Sequence, residues 1–90
     1  MFSGIVEKTG VIKEFVKDKL VIEEPFITKE LNVSDSIAVN GICLTIVDKN
    51  KKSFMVEISP ETMGRTNLKD LSQNDLLNLE KPLAYNGLIG

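Results

Sequence analysis

No two residues constrain this chain more than Asn40-Gly41. Both tolerate the positive φ that a type I′ turn demands at its central positions, and β-branched and apolar residues flank the pair on each side, so residues 34–47 read as a β-hairpin. A two-residue turn places Val39 opposite Ile42, Ala38 opposite Cys43, Ile37 opposite Leu44 and Ser36 opposite Thr45. Side chains then alternate between two unlike faces. Ile37, Val39, Ile42, Leu44 and Ile46 make one apolar face, and Ser36, Ala38, Cys43 and Thr45 make a small, partly polar one. Small hydroxyl- and thiol-bearing side chains fill a core poorly but suit the wall of a cavity, a cup for a flat polar ligand.

The rest of the chain supplies more short β segments. Residues 2–16 carry apolar residues with poor helical spacing and glycines at positions 4 and 10, which favours two short strands bent at the glycines. Lys19-Leu-Val-Ile-Glu23 is a compact β run able to pair back on residues 11–16 across a Lys17-Asp18 turn, and Pro25 ends it. Residues 26–31 fit either a single helical turn or an irregular crossing. After the hairpin, the polar cluster 48–53 turns the chain into a strand over 54–59. Ser59 as N-cap, Pro60 at the first helical position and Glu61 at the positive end of the dipole predict a short helix over 60–66. A last strand is expected at 76–80. The stretch leading into it, 71–79, echoes 31–39, and both read as a tight turn feeding a strand, although the match is too loose to be a sequence repeat. Six short strands with little helix predict an all-β fold, a closed antiparallel barrel with one short helix spanning residues 1–81. Residues 82–90, with Pro82 and two glycines, read as a linker whose Leu83, Tyr85, Leu88 and Ile89 normally dock on something.

Composition removes several function classes. Ninety residues hold one core. A net charge of −2 offers no basic field for nucleic acid. The absence of histidine rules out imidazole catalysis by this chain and the usual zinc ligand sets, so no metal is expected. A single cysteine allows no internal disulfide, and with neither a signal-like N-terminus nor a membrane-length apolar window, a cytoplasmic location is expected.

Cys43 is the strong nucleophile, although a lone cysteine in a strand is commonly a small buried hydrophobe. Thr45 shares its face, with Ser36 opposite, whereas β propensity alone would also explain a threonine there. Gly4 would let a ligand approach the backbone. Glu57 sits among apolar residues, either facing solvent or touching ligand. The run Ser59-Pro60-Glu61-Thr62 offers hydroxyls, a carboxylate and free backbone N–H groups, for a polyol chain or simply for capping. Arg65 suits a surface ion pair.

Met1-Phe-Ser-Gly-Ile-Val-Glu7, Asn40-Gly-Ile-Cys-Leu-Thr-Ile-Val47 and Pro60-Glu-Thr-Met-Gly-Arg-Thr-Asn-Leu68, in this order and spacing, resemble the N-terminal barrel of the alpha-type riboflavin synthase family over nearly the whole chain. The resemblance implies a six-stranded Greek-key barrel related by duplication to a second barrel. It also implies an enzyme that works as a homotrimer without cofactor and dismutates two molecules of 6,7-dimethyl-8-ribityllumazine to riboflavin and a ribitylamino-pyrimidinedione. By motif, Gly4, Ile5 and Val6 would border the ring through the backbone, Cys43, Leu44 and Thr45 would line it, and Glu57, Ile58, Ser59, Pro60, Glu61 and Thr62 would embrace the ring edge and ribityl chain. Cys43 and Thr45 would be the catalytic pair, the thiol as polar contact or transient nucleophile. In that family the site is completed by the C-terminal barrel of another subunit. Residues 1–90 are therefore expected to hold half a site, to bind ligand with little turnover, and through 82–90 to lead to a second barrel or self-associate as a dimer. Lumazine-carrying proteins use the same barrel without catalysis but generally lack the thiol, which favours the enzyme. A plain structural barrel is the third class.

Overall fold

The computed structural model describes residues 8–65 and 70–81. Strands β1 (Lys8–Val16), β2 (Lys19–Glu23), β3 (Ser36–Val39), β4 (Ile42–Lys49), β5 (Ser53–Glu57) and β6 (Leu76–Glu80) close into a barrel in the order β1-β2-β5-β4-β3-β6. Every neighbouring pair is antiparallel. Strands β3, β4 and β5 form a meander and β6 returns beside β3, which is the Greek-key winding. Two six-residue helices, α1 (Pro25–Glu30) and α2 (Pro60–Arg65), interrupt the strands, so the single short helix expected from the sequence is joined by a second at the uncertain crossing. The strand expected at 54–59 runs instead over Ser53–Glu57, and β4 continues through Asp48 and Lys49 into the predicted turn cluster.

The hairpin has the expected register, with Asn40 at φ 50° and Gly41 at φ 84°. Ile12, Leu20, Ile22, Ile37, Val39, Leu44, Ile46, Phe54, Val56, Leu77 and Leu79 point inward and are buried. Gly10 is needed in this wall because a Cβ there would lie 2.6 Å from Ile22 Cγ2 and 2.7 Å from Leu79 Cδ1.

Two bulges keep the alternation in phase with closure. The register shifts at Lys13, so Phe15 rather than Glu14 turns toward the core opposite Leu20. It shifts again at Val47, which puts Lys49 opposite inward-facing Phe54. Lys49 Nζ then donates to the Thr28 and Leu31 carbonyls at the end of α1.

The barrel consists of two equivalent halves. Each runs strand, bulge, strand, short helix, tight turn, strand: β1-β2-α1-β3 and β4-β5-α2-β6. The turns match bond for bond. Asn32 N donates to Asp35 Oδ2 and Ser72 N to Asp75 Oδ2, both at 2.9 Å. Ser34 N donates to the Ile46 carbonyl while Ile46 N donates to that of Asp35, and Asn74 and Asp75 treat Ile12 in the same way. Ser34 and Asn74 both adopt positive φ, 85° and 77°. The loose sequence echo between 31–39 and 71–79 is thus a structural repeat, carried by one aspartate and one left-handed residue in each turn.

Candidate functional site

The small face of the β3–β4 hairpin lies on the outside of the barrel. Cys43 and Thr45 are exposed on one side of β4, while their neighbour Leu44 points into the core. The cup expected from the sequence is therefore not the barrel interior, which aliphatic side chains fill; any ligand of this wall sits on the outer surface. Closure leaves the larger apolar face no other place to go.

Strand pairing extends the wall. Ser36 is opposite Thr45, Thr45 opposite Glu57, and Glu57 opposite Lys19, so hydroxyl, hydroxyl, carboxylate and ammonium form one transverse outer row. Cys43 lies one step along β4 on the same face, opposite buried Ala38. Lys19 Nζ is 2.9 Å from Glu57 Oε2 and 3.1 Å from Asp18 Oδ1. The hydrogen bond to Glu57 is the main reason the Lys19 ammonium is held above its ordinary range, and the bond from Lys19 holds the Asp18 carboxyl below its own.

Beyond Glu57 the chain turns into α2. Ile58 is fully buried, and its N–H donates to the Asp18 carbonyl at 2.8 Å, pinning the β5–α2 junction to the β1–β2 turn. Like Leu44, Ile58 can offer a ligand only its backbone. The Ser59 hydroxyl caps α2 as expected, accepting from Thr62 N at 3.1 Å and donating to Thr62 Oγ1 at 2.9 Å. Ser59, Pro60 and Glu61 are exposed and Thr62 half-buried. Gly4, Ile5 and Val6 lie outside the described residues, as do residues 82–90.

The structure thus brings Cys43, Thr45 and Glu57 onto one exposed face that runs toward the 59–62 segment. Sequence reasoning missed Lys19 and Asp18. Their only local signal is a charged pair after a positive-φ turn at Lys17, and the link to Glu57 spans 38 residues. A surface groove of about 750 Å³ between the end of β1 and α2, lined by Phe15, Met63 and Leu71 among others, contains none of the predicted site residues. Lys13 on its rim is paired with Glu23 at 3.3 Å, and the thiol–hydroxyl row is the better chemical candidate. Among the described residues no cluster of metal-ligating side chains occurs and no helix is long and apolar enough to cross a membrane.

Comparison with known proteins gives the family and the fold. Residues 3–82 match the family model described as the lumazine binding domain. Riboflavin synthase of Bacillus subtilis (strain 168) is 44% identical over 94 residues, an alignment covering all of this chain and 44% of that protein. The Schizosaccharomyces pombe riboflavin synthase is 38% identical over 95 residues, covering all of this chain and 46% of the relative. Among solved structures, the crystal structure of LumP complexed with 6,7-dimethyl-8-(1'-D-ribityl)lumazine superposes with a TM-score of 0.87 at 27% identity, covering all of this chain and 52% of that one. The chain spans about half the length of the curated relatives it matches.

Proposed function

The chain belongs to the lumazine-binding domain family, and on that premise we propose that it is the N-terminal barrel of a riboflavin synthase, binding 6,7-dimethyl-8-ribityllumazine on the outer face of β4 and β5. The observation that carries this reading is the exposed thiol, hydroxyl and carboxylate of Cys43, Thr45 and Glu57 on one face of the barrel. Thr45 hydrogen-bonds the ring, Cys43 lies against it as polar contact or transient nucleophile, and Glu57, Glu61 and Thr62 hold the ribityl hydroxyls. Gly4, Ile5 and Val6 border the ring through their backbone, as do Leu44 and Ile58, whose side chains are committed to the core. Ser59 and Pro60 shape the edge of the site.

The chemistry suits such a surface. Loss of a proton from the C7 methyl of the lumazine gives a delocalised anion, so the protein's task is to orient two ring systems and stabilise developing charge. A shallow outer wall orients one of them. The second would come from another barrel: residues 1–81 form the binding unit, 82–90 begin a linker, and the full-length protein assembles as a cytoplasmic homotrimer whose barrels complete one another's sites. The 90 residues alone bind with little turnover.

Fluorescence titration with 6,7-dimethyl-8-ribityllumazine and with riboflavin tests binding. Saturable change at micromolar ligand is expected, and none would reject the assignment. The resemblance to LumP favours a second reading, a barrel that carries the ligand without reaction. Riboflavin formation by the full-length protein separates the two, and a Cys43→Ser variant with undiminished turnover would reduce the thiol to a packing role.

A further inference from the structure

Lys19 belongs to no motif, yet it closes the row of site residues. It projects from the β1–β2 hairpin directly opposite Glu57 and bridges two carboxylates, Glu57 at 2.9 Å and Asp18 at 3.1 Å. The carbonyl of Asp18 also accepts the Ile58 N–H at 2.8 Å, so side chain and backbone of one turn hold both the last residue of β5 and the residue after it. Glu57 gives Oε2 to the lysine, while Oε1 has no partner among the described residues.

The equivalent half of the barrel shows that this arrangement is not a requirement of the fold. There the matching row runs Leu76, Val11, Glu23, Ser53. The position of Lys19 is taken by Ser53, whose hydroxyl turns to Asn50 Oδ1 at 3.0 Å, and Glu23 pairs instead with Lys13 beside it at the bulge, at 3.3 Å. Of the two rows, the one through Thr45 has a cation directly across from its carboxylate.

We propose that Lys19 is a positioning residue that determines specificity for the polyhydroxylated side chain of the ligand: it fixes the Glu57 carboxylate beside Thr45 so that Oε1 accepts a hydroxyl hydrogen bond. A glutamate on an exposed strand otherwise samples several rotamers, and holding it removes that entropy cost from binding. This inference rests on the lumazine-binding reading above. It adds the claim that the polyol and the ring are recognised by separable groups.

The test is titration of the 90-residue protein with two ligands sharing one ring, 6,7-dimethyl-8-ribityllumazine and 6,7,8-trimethyllumazine, which lacks the polyol. Lys19→Met should raise Kd for the ribityl ligand about fivefold and leave that for the trimethyl ligand within about twofold, the scale of an exposed ion pair. Lys19→Arg should restore polyol selectivity, and Glu57→Gln should reproduce the Lys19→Met loss with little added by combining the two. Equal losses for both ligands, no loss for either, or failure of arginine to rescue would overturn the proposal while leaving lumazine binding intact. Failure of the unmutated protein to bind either ligand would remove both readings together.

Discussion

The two halves of the barrel share a plan and differ in what they expose. Inward they correspond residue for residue where it matters: Ile12 and Ile46 are each fully buried, each precedes a bulge, and each is clamped by the matching turn. Outward, β4 and β5 present Cys43, Thr45 and Glu57, whereas β1 and β2 present Thr9, Val11 and Glu23 at the matching positions, with exposed Leu76 where the other half has Ser36. The helices diverge in the same sense. α1 buries Ile27 and Thr28 and is capped by the buried Glu24 carboxylate, which accepts from Phe26 N at 3.2 Å and Ile27 N at 2.7 Å. α2 is capped by the exposed Ser59 hydroxyl and keeps Glu61 at the surface. Burial and clamped turns make the scaffold, and it can be built twice; the proposed site rests on outward residues the scaffold does not need.

If the halves are equal as scaffolds, Ile12→Ala and Ile46→Ala should each cost about 2–5 kcal/mol and agree within about 1 kcal/mol in urea denaturation. A large disparity would break the equivalence. The helix caps should part company. Glu24→Ala removes two charge-assisted bonds, one buried and one part-buried, and should cost about 2–3 kcal/mol, against about 1 kcal/mol for Ser59→Ala, by the same measurement. The outward positions should separate function from fold. Thr45→Val should weaken lumazine binding about three- to tenfold with stability changed by less than about 0.5 kcal/mol, and Val11→Thr should leave binding unaltered.

The smallest effect concerns the ion pairs at the seams between halves, Lys19 with Glu57 and its neighbour Asp18, and Glu30 with Lys81. The hydrogen bond from Lys81 holds the Glu30 carboxyl low, as that from Lys19 holds Asp18. A depressed carboxyl contributes stability above its unfolded-state pKa and loses it as pH falls through the folded value, so the loss falls below about pH 4. Lys19, raised, contributes below its unfolded-state value and loses this as pH climbs through the folded one, above about pH 10. Asp18→Asn with Glu30→Gln should therefore flatten the acid limb of a stability–pH curve by lowering stability slightly at neutral pH while leaving the acid end unchanged.

Much of the fold is legible in local chemistry. Asn40-Gly41 gives the hairpin and its register, Lys17-Asp18 gives the first turn, Ser59-Pro60 gives the start of α2, and alternation gives the strands. The cap of α1 is harder to foresee because glutamate is a rare N-cap, and its carboxylate serves here only because the barrel end buries it. The equivalence of the two halves is faint in the residues because a turn needs only one aspartate and one left-handed position, and the rest is free to drift.

The sequence by itself determined which side chains share a strand face between bulges, because a two-residue period is local wherever the strand is regular. Only the tertiary structure decided that the thiol and hydroxyl face outward, that the bulges at Lys13 and Val47 carry the alternation around the closure, and that Lys19 meets Glu57 across 38 residues. Those outcomes depend on burying all the aliphatic faces at once in a single barrel, a condition no segment of the chain can express alone.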